Sequence, residues 1–374
     1  MTTLKKRSRT WTGAARRRAG GAMLAVALAA GAAGAQTGPG AAPATTGHEN
    51  PPLTLERTLK IPGVPPGPLS DSMALDLKGR RIFATPQAAK SIAVLDLADG
   101  RVLRMITGLG NPHGTAYNAN VGRLYVSDGA NASVRVYSGK DYSLVKSIAV
   151  APGPDMTAYD PTTQTFYVNS SGEAEGKTVS TVTAVDTVKM EAVWSVALDS
   201  PGLEGATVDT ARQLLYVTMR DKAKVAVIDL KQRKTVAIWP MPASNLSPWV
   251  VALDASRHRL YVACREDTTG TAMHGFVVAL DTETGKPVAQ VPIGGWSDGI
   301  YVDGKRKRLY VSQGVGRVDT FTIDAGDQFT RLAPVHTALM AKTSLFSPDL
   351  DRLFVTLPNM GMKDAEIMVL KPQP

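Results

Sequence analysis

Seven side chains that could do chemistry occupy one fixed position of a sequence repeat, twelve residues before a recurring aromatic residue. Carboxylates and an imidazole can bind a divalent cation or move a proton, and a tryptophan can stack on a planar or cationic group. The position varies in residue type, whereas the core positions of the repeat stay nearly constant, so packing does not explain its composition. Exposed polar loop residues without any function are the alternative interpretation. The seven residues are Asp71, His113, Asp155, Glu204, Trp249, Asp298 and Lys342.

Two arginines in neighbouring loops could act together with these seven residues. Arg220 and Arg265 follow two of the aromatic strands, in loops that should open on the same face. With Lys342 they could hold a carboxylate or phosphate group, although each could also be an ordinary solvated charge. We therefore predict nine ligand-binding residues. No cofactor is predicted, with a divalent metal ion bound by the acids and His113 as the alternative.

Catalytic signatures do not point to an enzyme. The sequence contains no GxSxG, GxxxxGKS or HExxH motif, and no GxGxxG motif that opens a helix. Its single cysteine, Cys264, excludes an internal disulfide, a CxxC metal site and a CxxCH haem attachment. We interpret Cys264 as a structural thiol, and we assign no catalytic residue.

The elements that must position these residues are strands of a sevenfold repeat. Seven residues before each aromatic stands a turn former, which is Asp, Asn or Ser, and eight residues before it stands an apolar residue. This spacing predicts a strand, a turn and a second strand in every repeat. The aromatics lie 42, 42, 49, 45, 49 and 44 residues apart, and each is the centre of an apolar triplet. They are Phe83, Tyr125, Tyr167, Tyr216, Tyr261, Tyr310 and Phe354.

Two further strands follow in each repeat, and no long helical periodicity occurs. Val225–Asp229 and Thr235–Trp239 illustrate this second pair of strands. Four short strands in every 40 to 50 residues are typical of a propeller blade. The sequence therefore predicts an all-β fold, a seven-bladed β-propeller of four-stranded blades, in residues 53–374.

The ends of the chain predict how the ring closes. The seventh repeat ends after its third strand, and Leu53–Ile61 before the first repeat resembles a fourth strand. We expect this N-terminal strand to pair into the last blade, which would otherwise expose an unpaired edge. In such a ring the seven residues at the fixed position would surround one opening of the central channel.

The triplets and hairpins resemble a known repeat. Leu124-Tyr125-Val126, Leu215-Tyr216-Val217 and the Asp-x-x-x-x-x-Leu-Tyr-Val hairpins are similar to YVTN repeats of YncE-like seven-bladed propellers from bacterial envelopes. The resemblance covers roughly residues 53–371 and departs at Ala84 and in Phe for Tyr at 83 and 354. It implies the fold strongly, but such propellers include binding modules, surface proteins and, in neighbouring families, lactonases and lyases. Single-stranded DNA as a partner is implied by this resemblance alone.

The N-terminal segment predicts export. Residues 1–35 carry seven basic residues and no acid, followed by a short apolar run and Ala33-Gly34-Ala35, which is typical of a signal peptide before Gln36. We expect residues 36–52, rich in Gly, Pro, Ala and Thr, to be a disordered linker. The remaining 339 residues carry a net charge of about +2, which argues against duplex nucleic acid as a partner.

These observations favour an exported binding module. We predict a periplasmic or secreted monomer without a transmembrane segment in the mature chain. It would bind a small ligand, a peptide or an envelope protein at the channel mouth. The alternative is a propeller enzyme of the lactonase or lyase type with a divalent metal ion at the mouth, and the sequence does not decide between them.

Overall fold

The computed structural model describes residues 51–67, 70–266, 274–361 and 363–374. The predicted signal peptide and linker residues 36–50 lie outside the described residues, and so do residues 267–273 in the fifth repeat. In the part of the chain that the structure describes, no helix is long and apolar enough to cross a membrane.

Seven antiparallel sheets form within these ranges, one for each repeat. The first blade contains β2 (Ser70–Asp76), β3 (Arg81–Pro86), β4 (Ile92–Asp96) and β5 (Val102–Ile106). The second contains β6 (Pro112–Asn118), β7 (Arg123–Asp128), β8 (Ser133–Ser138) and β9 (Leu144–Ala149), and the third β10 (Pro154–Asp160), β11 (Thr165–Ser170), β12 (Ser180–Asp186) and β13 (Glu191–Leu198). The fourth contains β14 (Leu203–Asp209), β15 (Leu214–Met219), β16 (Lys224–Asp229) and β17 (Lys234–Pro240).

The remaining blades follow the same order. The fifth contains β18 (Leu246–Asp254), β19 (Arg259–Glu266), β20 (His274–Asp281) and β21 (Pro287–Gly294), and the sixth β22 (Ser297–Asp303), β23 (Arg308–Gln313), β24 (Arg317–Ile323), β25 (Phe329–Arg331) and β26 (Val335–His336). The seventh contains β27 (Ser344–Ser347), β28 (Arg352–Leu357), β29 (Ala365–Pro372) and β1 (Leu53–Ile61). Short 3-10 turns lie at Gln87–Ala89, Gly129–Asn131, Gly172–Glu175 and Arg220–Lys222. The predicted seven-bladed propeller is confirmed.

The repeated sequence features form the core and the turns. All seven recurring aromatics lie on the second strand of a blade and are at most 3% exposed. The turn formers cap the hairpins: Asp209 Oδ1 accepts a hydrogen bond of 3.0 Å from Arg212 N, and Asp76 Oδ1 accepts one of 2.8 Å from Gly79 N. Middle strands such as β15 are buried on both faces, because neighbouring blades pack against them, whereas the outer strand β17 alternates between exposed and half-buried residues.

The innermost strands surround the channel, and the two ends of the propeller meet in the seventh blade. Each first strand contacts the first strand of the next blade, and β27 contacts β2. β1 pairs antiparallel with β29, from Leu53 opposite Pro372 to Ile61 opposite Ala365. Gln373 N also donates to Pro52 O at 2.9 Å. The described N-terminal segment thus supplies the outermost strand of the last blade.

Candidate functional site

One cavity of about 240 Å³ is lined by all seven residues of the fixed repeat position. Arg220 lines it too, and Arg265 contacts two of its walls, Trp249 and Asp298. The structure therefore brings together all nine residues that were predicted from the sequence. A second cavity of about 350 Å³ shares Met156 and Asp298 with the first and continues along the innermost strands. We call the first cavity the mouth pocket.

A β-bulge directs these side chains into the mouth pocket. In six blades the pairing of the first and second strands shifts by one residue near the start of the first strand. A bulge bends its strand and changes the direction of the extra residue's side chain, so bulges are common beside functional sites. Lys342 of the seventh blade stands two residues before β27. The residues inside the bulges are Asp71, His113, Asp155, Glu204, Trp249 and Asp298.

Buried polar side chains on the second strands hold pocket residues of the next blade in place. Two residues after the recurring aromatic, four blades carry a hydroxyl or amide group that donates to the carbonyl of the pocket residue in the next blade. Each bond therefore fixes one pocket residue from its neighbouring blade. The bonds run from Ser127 to Asp155 (2.7 Å), Asn169 to Glu204 (2.5 Å), Thr218 to Trp249 (2.9 Å) and Ser312 to Lys342 (2.7 Å).

His113 lies between two carboxylates on the acidic side of the pocket. Its Nδ1 atom is 2.7 Å from Asp71 Oδ2 and 3.1 Å from Asp155 Oδ1. Burial alone would lower the pKa of His113, but hydrogen bonds and charge attraction from Asp155 and Asp71 outweigh burial and raise its pKa to about 10. Without another cation, the imidazole is therefore protonated at neutral pH.

Two amides on this side were missed by sequence reasoning. Gln87 Nε2 lies 2.5 Å from Asp71 Oδ2 and 2.8 Å from His113 Nδ1, and Asn111 Nδ2 lies 2.7 Å from His113 Nε2. Gln87 stands four residues after its blade's aromatic, which is the position that Arg220 and Arg265 occupy in theirs. The same offset argument would have identified Gln87, whereas Asn111 belongs to a loop position without a shared residue type.

Two cations, Arg265 and Lys342, occupy the opposite side of the pocket. Arg265 Nη2 donates to Asp298 Oδ1 at 2.6 Å, and Lys342 Nζ pairs with Asp298 Oδ2. The Arg265 guanidinium carbon lies 3.2 Å from the centroid of the Trp249 ring, in a cation–π contact. Burial lowers the pKa of Arg265, while Asp298 and Glu204 oppose this effect. Asp298 thus meets two buried cations.

Glu204 and Arg220 form a second ion pair between the two sides. Arg220 Nη1 donates to Glu204 Oε1 at 2.5 Å, and Arg220 also pairs with Glu173. Burial, together with the charge of Asp155, raises the pKa of Glu204 well above its usual range, and Arg220 opposes this shift. The carboxylates of the pocket therefore do not simply repel one another. His113, Arg220, Arg265 and Lys342 lie among them and compensate their charge.

Other polar residues near the mouth have structural roles. Asp128 is fully buried and accepts hydrogen bonds from Gly110 N and Asn111 N, and Gln313 Oε1 accepts one from Gly294 N at 2.6 Å. Cys264 is buried, and burial raises the pKa of its thiol, in agreement with a structural role. His258 lies beside Arg212, outside the mouth pocket.

Comparisons with known proteins identify the fold. No protein-family model matches the chain, and no curated protein matches its sequence. Hydrazine synthase of Kuenenia stuttgartiensis is 19% identical, with a TM-score of 0.67 over 81% of this chain and 95% of that chain. U3-55K is 11% identical, with a TM-score of 0.68 over 84% and 98% of the two chains, and the RRP9 WD40 repeats are 11% identical, with a TM-score of 0.68 over 84% and 97%. At these identities the likeness concerns the propeller fold alone, and YVTN-repeat membership stays a resemblance.

Proposed function

We propose that the chain is an exported β-propeller binding module that holds a small charged ligand in the mouth pocket. The observation that carries the proposal is the convergence of residues from seven blades, with charges of both signs, on one cavity. Ligand sites in proteins are concave and few, and they combine precisely placed polar groups from separate elements. Export rests on the predicted signal peptide, and the YVTN resemblance agrees with an envelope protein.

The distribution of charge defines the ligand that fits. Asp71 and Asp155 share a single imidazole, which leaves negative charge in excess on that side. Asp298 is shared by Arg265 and Lys342, which leaves positive charge in excess on the other side. We infer a ligand whose carboxylate or phosphate group faces Lys342, with a positive group beside Asp71 and Asp155.

The size of the pocket also limits the ligand. Its volume of about 240 Å³ lies below the range of about 300–1,000 Å³ that drug-sized molecules occupy. Asp155 is the most accessible carboxylate of the pocket, with 30% of its side chain exposed. A small metabolite therefore fits better than a peptide, and Asp155 is the carboxylate that it would meet first.

A thermal-shift screen followed by calorimetric titration tests the proposal. Small zwitterions, carboxylates and phosphorylated compounds would be screened with and without added divalent cations. We expect hits on the wild type whose affinity falls at least about tenfold, or 1.4 kcal/mol, in Asp155→Asn and in Lys342→Gln. Lys342→Gln leaves Asp298 paired with Arg265, so the fold should persist.

The matched control is Asp199→Asn/Asp349→Asn, which removes two exposed carboxylates outside the pocket. Hits that stabilise all four proteins equally would place the binding site elsewhere and refute the proposal. Conversion of a bound lactone, lost in His113→Ala, would favour the alternative enzyme over the binding module.

A further inference from the structure

Three polar groups crowd a single atom, His113 Nδ1. Asp71 Oδ2 lies at 2.7 Å, Gln87 Nε2 at 2.8 Å and Asp155 Oδ1 at 3.1 Å. An imidazole nitrogen carries either one proton or one lone pair. If Nδ1 is unprotonated, it can accept a hydrogen bond from the Gln87 amide, but its lone pair then faces the carboxylates of Asp71 and Asp155. If Nδ1 is protonated, it can donate to a carboxylate, but its N–H then faces the N–H groups of Gln87. No protonation state of His113 satisfies all three neighbours.

The other amide atom of Gln87 is equally unsatisfied. Gln87 is only 8% exposed, and its Oε1 atom is buried without a hydrogen-bond partner. A buried polar atom without a partner is unfavourable, because it has lost its hydrogen bonds to water. The oxygen and nitrogen of a glutamine amide are nearly isosteric, so turning the amide over exchanges their positions. Oε1 would then face Asp71 and His113. Four electron-pair donors would surround one point: the Gln87 amide oxygen, the His113 imidazole nitrogen, and a carboxylate oxygen each from Asp71 and Asp155.

We infer that this point is a binding site for one divalent transition-metal ion, held by Asp71, Gln87, His113 and Asp155. The inference deepens the proposed function and rests on it, because it identifies the positive group beside Asp71 and Asp155 as a metal ion. The donor atoms of Asp71, His113 and Asp155 all lie within 4.8 Å of one another. Bonds of about 2.1 Å to an ion place its ligands roughly 3–4 Å apart, so small movements suffice.

The donor set selects the class of metal. Carboxylate and amide oxygens suit Mg²⁺, Ca²⁺ and Mn²⁺, whereas an imidazole suits Zn²⁺ and other transition metals. A mixed set with one imidazole favours Mn²⁺ or Zn²⁺ over Ca²⁺, which takes oxygen ligands. The ion would replace the proton on Nδ1, and its two positive charges would balance the carboxylates of Asp71 and Asp155.

The surroundings of His113 are built to orient its ring. The amide of Asn111 lies 2.7 Å from Nε2, on the side away from the carboxylates. Asn111 is fixed in turn by Asp128, which accepts from Asn111 N at 2.8 Å and from Asn131 Nδ2 at 2.6 Å. A metal-bound histidine commonly donates its second N–H to a carbonyl or carboxylate, and the turned amide of Asn111 would offer its oxygen.

Titration of the EDTA-treated protein with MnCl₂ and ZnCl₂ tests the inference. Calorimetry measures the binding of both metals, and electron paramagnetic resonance measures the loss of the signal of free Mn²⁺. We expect one equivalent to bind to the wild type, with at least about tenfold weaker binding in Gln87→Leu and retained binding in Gln87→Glu. Asp71→Asn/Asp155→Asn should abolish saturable binding. The Asp199→Asn/Asp349→Asn control should bind like the wild type, and circular dichroism would establish that each variant is folded.

Two results would overturn the inference. One is that neither metal binds saturably with a dissociation constant below about 1 mM, and the other is that Asp71→Asn/Asp155→Asn still binds one equivalent of metal ion. Ligand hits in EDTA that depend on Lys342, without metal binding, would refute the metal site alone. Metal binding that is lost in the Asp71→Asn/Asp155→Asn variant, without any hit that depends on Lys342, would refute the ligand proposal and leave the metal site standing.

Discussion

At the scale of single residues, the mouth pocket depends on charges that lie close together at low exposure. Asp298, Arg265 and Lys342 each have side chains that are 8% exposed. Removing one partner of a buried ion pair leaves an uncompensated charge, which is more costly than the pair is stabilising. Substitution of Asp298 should therefore destabilise the protein, because Arg265 and Lys342 would both lose their carboxylate partner. Asp155, at the surface of the pocket, is the better position for a binding variant.

His113 gives the pocket a pH dependence that can be measured. Its pKa is raised to about 10 by Asp155 and Asp71 against the effect of burial, from about 6.5 in an unfolded chain. The charged imidazole thus stabilises the folded state fully below pH 6.5, and this stabilisation is lost as the pH rises toward 10. In EDTA, we expect the free energy of unfolding of the wild type to fall over this window by a few kcal/mol.

His113→Gln is the matched variant, because glutamine can hydrogen-bond to a carboxylate without titrating. Its unfolding free energy, measured by urea titration in EDTA between pH 6 and 10, should fall less than that of the wild type. Parallel curves for the two proteins would show that His113 does not carry the charge between Asp71 and Asp155.

At the scale of elements, the bulged first strand of one blade and the second strand of the preceding blade together position a pocket residue. The bulge in β10 lies between Pro154 and Thr157, and Asp155 occupies it. Ser127 on β7 of the preceding blade donates to Asp155 O at 2.7 Å and accepts from Gly114 N at 2.8 Å. Its hydroxyl therefore joins the bulges of two blades, and it is fully buried.

Ser127→Ala tests this arrangement with little change in side-chain volume. The substitution leaves a buried carbonyl and a buried N–H without this partner, so we expect a loss of about 1–3 kcal/mol in unfolding free energy. Ser147→Ala on the exposed face of β9 is the control and should change stability by less than about 0.5 kcal/mol. Equal urea midpoints for the two variants would contradict a role for the Ser127 hydroxyl in holding the bulge.

At the scale of the whole molecule, the positions of the pocket residues depend on ring closure. The seventh blade combines three strands from the C-terminal end of the chain with β1 from the N-terminal side. Leu53, Leu59 and Ile61 of β1 are buried in it. Arg306 of the sixth blade donates to both carboxylate oxygens of Asp351 in the seventh, at 2.7 and 2.8 Å. These contacts tie the last blade to the ring.

Two truncations measure how much closure contributes. Deletion of residues 36–50 should leave the melting temperature nearly unchanged, because it ends before β1. Deletion of residues 36–62 removes β1, exposes the edge of β29 and should lower the melting temperature strongly or prevent folding. Differential scanning calorimetry compares the two, and equal melting temperatures would contradict closure by β1.

The sequence by itself determined the fold and nine of the residues that lie in or beside the pocket. Strand and turn signals are local, since they depend on alternating apolar residues and on turn formers such as Asp76 and Asp209. A sevenfold repeat converts one offset into one structural position, so the convergence of Asp71 and Lys342 could be predicted across 271 residues. The offset also identifies Gln87, which stands four residues after its blade's aromatic, as Arg220 and Arg265 do in theirs.

Only the tertiary structure decided how the pocket residues pair. Asp298 meets Lys342 and Arg265 from the neighbouring blades, and His113 meets Asp71 and Asp155 from the blades on either side of its own. An offset defines the height of a residue in its blade, but the direction of its side chain depends on a bulge and on hydrogen bonds from the preceding blade. Charge compensation is set by distances of a few ångströms between blades, because electrostatic energy changes steeply over that range and the repeat pattern carries no information about it.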